Sequence, residues 1–262
     1  MIGPLLLAAA AGAAALLGAL LAILPVRYSQ KAMLALIGVS GGYLITWSVA
    51  HLIPYLVSQS EGLFVWVLVG YFGIYLLENV FASHAHPGET AHAHTHTLVD
   101  SWAGHTAVIS PVACWAAVSG LLVHAFFDGA AIVASFSIHS NIGAMVFIAV
   151  LIHKIPEGAS QTSILGAAGR NTRVTFWAAI GIALATILGG VVAGAIGAIS
   201  LSWAHTILAL SAGTFLFVGA SNLIPATQKG ESKTAAVAVL GGALLFFLVQ
   251  KLLIQAGVHF HE

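Results

Sequence analysis

The chain predicts an all-α polytopic membrane protein of eight transmembrane helices, and three observations carry that expectation. Of its 262 residues 60% are hydrophobic and only 6% are charged, with a mean hydropathy of +1.01, a composition foreign to soluble domains of this length. Uncharged runs recur at close to the roughly 20 residues that one bilayer crossing needs. Those runs are continuously apolar rather than alternating, which argues for helices and against a β-barrel.

Polar breaks divide the chain into expected spans at 2–24, 33–57, 62–83, 106–137, 142–167, 174–199, 203–226 and 234–256, all within a single transmembrane domain covering 1–262. No positive cluster precedes the first run, so it reads as a span rather than a cleavable signal. Orientation follows from the few basic residues. Arg27 and Lys31 fall in the first connection, Arg170 and Arg173 in the fifth, and Lys229 and Lys233 in the seventh, whereas the even connections hold none. Basic residues in short loops stay in the cytoplasm, so both termini are expected outside. The formal net charge is zero, and without a basic run nothing points to nucleic acid. The single cysteine, Cys114, lies in an apolar stretch without a partner, which excludes disulfides and thiolate metal motifs and predicts a packed, inert thiol.

The third connection, 84–105, is expected on the cytosolic side. It carries His84, His86, His92, His94, His96 and His105 among small and polar residues. Such a segment cannot build a core, and His-x-His repeats suit loose, exchangeable metal contact.

An internal repeat links the two ends of the chain. Ser40-Gly-Gly42 and His51-Leu-Ile-Pro54 align, at one offset and without a gap, with Ser211-Ala-Gly213 and Asn222-Leu-Ile-Pro225. The second span runs outward and the seventh inward, so helices 1–3 and 6–8 read as inverted repeats around helices 4 and 5. That architecture suits a transporter, because two similar halves can exchange inward-open and outward-open shapes about one midplane site.

The chemistry concentrates in the fourth and fifth spans. His124 precedes Asp128 by four positions, and His153 precedes Glu157 by four. Residues i and i+4 share a helix face, so each helix offers one nitrogen and one oxygen near mid-membrane. Ionisable groups there cost about 2.5–3.5 kcal/mol each on insertion scales, and a divalent cation would compensate the four that can ligate. Two imidazoles with two carboxylates suit Zn²⁺ and tolerate Mn²⁺, Fe²⁺ or Cd²⁺. Pro156 removes an amide and should kink the fifth helix, freeing the Ile152 carbonyl near the site. Gly129 and Gly158 follow the carboxylates and are expected to let these two helices approach each other, or to serve plain helix packing. Lys154 is expected to pair with Glu157 or Asp128, or to reach a hydrated path. His51 and Asn222 read equally as waypoints for the ion or as hydrogen-bonding groups between helices. Glu78 is a candidate for the inner exit and His139 for the outer entry.

These residues resemble the ZIP (Zrt/Irt-like) family of divalent metal transporters over essentially the whole chain. The family's fourth-helix pattern, His-Asn-x-x-Asp/Glu-Gly, is matched by His124, Asp128 and Gly129. Its fifth-helix pattern, a ligand, an acid or Asn, any residue, Pro and a second ligand, is matched by His153, Pro156 and Glu157. Ala125 stands where the family often has Asn, and Lys154 where it often has an acid, positions that serve the second metal of a binuclear centre. The resemblance therefore implies uptake of a divalent ion, zinc foremost, toward the cytosol across the plasma membrane, with one metal rather than two. It also implies a homodimer and an elevator-like slide of one bundle against another. No catalytic cofactor is expected, the ion being the substrate. An intramembrane zinc hydrolase, with Glu157 recast as general base, is the rival, although the chain has no His-Glu-x-x-His and such an enzyme would leave the repeat and the histidine loop without a role.

Overall fold

A computed structural model describes residues 2–23, 30–83, 111–197, 200–228 and 233–255. Among these residues all regular structure is helical: α1 (Ile2–Ile23), α2 (Gln30–Trp47), α3 (Ile53–Gln59), α4 (Leu63–Ser83), α5 (Pro111–Ile138), α6 (Ser140–Ala167), α7 (Thr172–Gly197), α8 (Leu201–Phe217), α9 (Ile224–Gln228) and α10 (Lys233–Gln255). Seven helical stretches are long and apolar enough to cross a membrane, and an eighth apolar stretch, Leu63–Leu77, falls at the expected third span. The histidine-rich connection, with His84, His86, His92, His94, His96 and His105, lies outside the described residues.

Two expected spans are composite. The π-helical turn Ser48–Leu52 joins α2 to α3, and Val218–Leu223 joins α8 to α9. Each leads into the Leu-Ile-Pro of the repeat, where Pro54 and Pro225 lack the amide that would continue regular bonding. Two further ends are capped in ordinary ways. Ser200 accepts from the Ser202 amide at 3.2 Å. At the end of α6 Gly169 turns into the left-handed region at φ 68°, so that the Arg170 amide reaches the Leu165 carbonyl at 2.9 Å.

The helices pack as two bundles. One contains α1, α5, α6 and α7, with α1 against α6 and α7, and α5 against α6 and α7; in the other, α2 packs on α10 and α4 on α8. Glycines set these contacts. A side chain at Gly42 would strike the Val239 carbonyl and one at Gly242 the Val39 carbonyl, while Gly70 and Gly213 meet Leu210 and Val67 in the same way. In the first bundle Gly18 abuts Ile155 and Gly189 abuts Phe126. Such close backbone approach replaces the hydrophobic drive that lipid surroundings remove.

Gly129 and Gly158 do not bring α5 and α6 together, contrary to the expectation from the motifs. Gly129 abuts Thr186 on α7, and Gly158 abuts Ala15 on α1. On a helix, the residue after an inward-facing ligand is turned by about 100°, so each glycine faces the outer neighbour of its helix.

Candidate metal centre

His124 and Asp128 on α5 and His153 and Glu157 on α6 converge in the first bundle, where it meets α8. Their ligand atoms all lie within 4.8 Å of one another, and all four residues are buried. His124 Nε2 is 3.4 Å from Asp128 Oδ2 and 3.9 Å from Glu157 Oε2; His153 Nε2 is 3.3 Å from Asp128 Oδ2 and 3.7 Å from Glu157 Oε2. The two imidazole nitrogens are 3.4 Å apart. A tetrahedral ion bonded at about 2.0–2.2 Å has ligand atoms separated by about 3.3–3.6 Å, so little closure is required.

The tautomers also suit a cation. His153 Nδ1–H donates to the Ala149 carbonyl at 3.0 Å, which directs the lone pair of its Nε2 toward the Asp128 carboxylate and His124. A backbone carbonyl behind an imidazole is the usual way to orient and strengthen such a ligand. Asp128 Oδ1 and His124 Nδ1 are buried without a protein partner.

Lys154 pairs with both carboxylates at once. Its Nζ lies 2.6 Å from Asp128 Oδ2 and 2.7 Å from Glu157 Oε2, with the side chain fully buried. The ammonium thus bridges the same two oxygens that face the imidazoles. Ala125 contributes no polar atom and packs in a small apolar cluster with Ala15 and Ile182.

Pro156 lies within an unbroken α6. The Ile152 carbonyl that the proline leaves without a helical donor receives the Ser40 hydroxyl from α2 at 3.3 Å. On the other side Ser211 of α8 donates to the Phe127 carbonyl at 3.1 Å.

The candidate waypoints stay outside the cluster. His51 sits half-buried in the first π-helical turn with its ring 6.4 Å from Phe246, and Asn222 sits half-buried in the second turn. His139 is exposed and caps α6, its Nδ1 accepting from the Asn141 amide at 3.2 Å. The Glu78 side chain lies outside the described residues. Sequence reasoning missed Phe215, whose ring meets those of His124 and His153 edge-on at 6.2 and 5.9 Å. Its position four residues after Ser211, the repeat partner of Ser40, was the available signal. Cys114 is buried in a cluster with Val118, Ile164 and Leu165, a packed thiol as expected.

Membrane-spanning helices around a buried site of two imidazoles and two carboxylates define a multi-pass membrane protein with a metal-binding type of centre. Residues 5–250 match the family model for the ZIP zinc transporter, and the chain belongs to that family. It is 28% identical over 266 residues to the zinc transporter ZupT of Escherichia fergusonii, covering 97% of this chain and 98% of that protein. It is 28% identical over 239 residues to ZupT of Salmonella heidelberg, covering 87% and 88%. The zinc transporter ZIP10 of Danio rerio is 29% identical over 119 residues, which make up 45% of this chain but 14% of that longer protein.

Proposed function

We propose that the protein carries zinc, and with lower selectivity Mn²⁺, Fe²⁺ or Cd²⁺, into the cytosol through one mononuclear site formed by His124, Asp128, His153 and Glu157. The convergence of these four candidate ligand atoms within one bundle carries this reading. The ion would exchange its hydration shell for the two imidazoles and two carboxylates. The histidine-rich connection is the proposed receiver on the cytosolic side, with His51 and Asn222 along the route, Glu78 at its exit and His139 at its entry.

Alternating access would come from the inverted repeat, with both termini outside. Glycine contacts support the symmetry pair by pair. Residues 171 or 172 apart exchange roles between the halves, and residues 29 apart exchange roles between α5 and α6. Gly42 on Val239 corresponds to Gly213 on Val67, Gly242 on Val39 to Gly70 on Leu210, Gly18 on Ile155 to Gly189 on Phe126, and Gly158 on Ala15 to Gly129 on Thr186. The two π-helical turns correspond in the same way. Because the site belongs to one bundle, that bundle can travel against the other with its cargo, as an elevator. Plasma-membrane location and a homodimer follow from the family resemblance. The hydrolase reading is disfavoured, since both oxygens of Glu157, the base it would use, are held by Lys154 at 2.9 and 2.7 Å.

Proteoliposomes loaded with a zinc-sensitive dye test the proposal. The native chain is expected to admit zinc, and Glu157→Ala, reconstituted to the same level, to lose at least nine-tenths of the flux. Native flux in Glu157→Ala would refute the site.

A further inference from the structure

The two bundles meet beside the metal centre through two serines, and their hydrogen bonds break the symmetry that the glycine contacts obey. Ser40 shares its hydroxyl between Leu36 of its own helix, at 2.9 Å, and Ile152 of α6, at 3.3 Å. Ser211 shares its hydroxyl between Ile207 of its own helix, at 2.9 Å, and Phe127 of α5, at 3.1 Å. Ser40 corresponds to Ser211, and Leu36 to Ile207. The partners across the bundle boundary do not correspond. By the spacing that relates His124 to His153, the counterpart of Ile152 is Val123 and that of Phe127 is Pro156, so each serine sits one helical turn from the twofold position of the other. Contacts within each bundle keep their counterparts, so the mismatch is a displacement of one bundle along the other.

We infer that Ser40 and Ser211 are paired register latches, and that the second transport state is this one with their partners exchanged: Ser40 on the Pro156 carbonyl and Ser211 on the Val123 carbonyl. The inference rests on the elevator reading above. Because α5 and α6 are antiparallel, stepping from Ile152 to Pro156 and from Phe127 to Val123 is travel in the same direction, so one rigid slide makes both exchanges. Its length is one turn, about 5.4 Å. With the termini outside, the metal-bearing bundle must move outward for Ser40 to reach Pro156, which makes the present state the inward one. Trp47, two turns outward from Ser40, supports that assignment: fully buried, it packs at 5.5 Å on Phe215, which covers the histidine pair.

Pro156 makes the two states unequal. The Ile152 carbonyl lacks the N–H that a residue other than proline at 156 would supply, and the Ser40 hydroxyl meets it in this state alone. Leaving a buried acceptor unmet is enough for roughly a tenfold change in population. The Phe127 carbonyl keeps its helical donor, so the Ser211 bond biases the equilibrium less.

Spin labels on Glu61→Cys and Ser140→Cys, one in each bundle and both exposed, in a Cys114→Ala chain embedded in lipid nanodiscs, test the latch by pulsed distance measurement. Ser40→Ala is expected to move the population about tenfold toward a second distance, Ser40→Thr to restore the native distribution, and Ser211→Ala to shift it less than threefold. Pro156→Ala, which returns an N–H to Ile152 without touching either serine, should move it in the same direction as Ser40→Ala. Native distributions in Ser40→Ala and Pro156→Ala proteins that still bind zinc would overturn the inference. Lost zinc flux with populations that still respond would count against the transport reading and leave the latch standing.

Discussion

Replacing Lys154 with Met should tighten zinc binding and slow its release. With lysine present, two carboxylates and one ammonium share the buried site, so a bound divalent ion leaves it with a formal charge of plus one. Without the ammonium the loaded cage is neutral. The Nζ sits 2.6 and 2.7 Å from oxygens that would bind the ion, which puts it about 4 Å from a metal bonded at about 2 Å. At that distance a unit charge and a double charge repel by about 8 kcal/mol for an effective dielectric near 20. Local rearrangement, hydration and the fit of the smaller side chain reduce the benefit, yet a quarter of that figure, about 2 kcal/mol, is roughly a thirtyfold change in Kd. Competition titration against a zinc dye on purified protein measures it, and proteoliposome uptake should show a lower KM together with a lower kcat. Lys154→Arg keeps the charge and should stay near the native Kd. A folded Lys154→Met protein with a Kd within threefold of the native value would refute the reasoning, because the ammonium would then not oppose the bound ion.

Lys154→Glu removes the cation and restores an acid beside His153, so zinc titration followed by elemental analysis should rise from one ion per chain toward two; one ion in a folded variant would show that Ala125, which offers no donor, limits the second site. Gly158→Val and Gly129→Val place a side chain against the backbones of Ala15 and Thr186, and overpacking of this kind costs about 1–3 kcal/mol. Thermal unfolding in detergent should fall by several degrees for each, whereas Gly3→Val, which meets nothing, should leave it unchanged.

Helices and buried polar side chains were legible in the sequence to different depths. The crossings were readable because apolar runs interrupted by polar residues report burial in lipid directly, and α6 and α7 begin and end within about two residues of the expected limits. His124, Asp128, His153 and Glu157 were readable because spacing by four determines a shared helix face before any neighbour is known. The π-helical turns were not, since the Leu-Ile-Pro strings announce a disturbed helix without saying which hydrogen-bond pattern replaces the regular one. Gly129 and Gly158 were misassigned to the α5–α6 contact, because a small residue says that something comes close and not what does.

By itself the sequence determined the membrane class, the two motif helices and which side chains on each share a face, since hydropathy and helical periodicity are local properties. Only the tertiary structure decided that Lys154 bridges both carboxylates, that the Phe215 ring meets those of the histidines, and that Ser40 and Ser211 donate to the Ile152 and Phe127 carbonyls. Those facts depend on how separate helices sit against one another, and the placement of one packed helix against another leaves no periodicity in either.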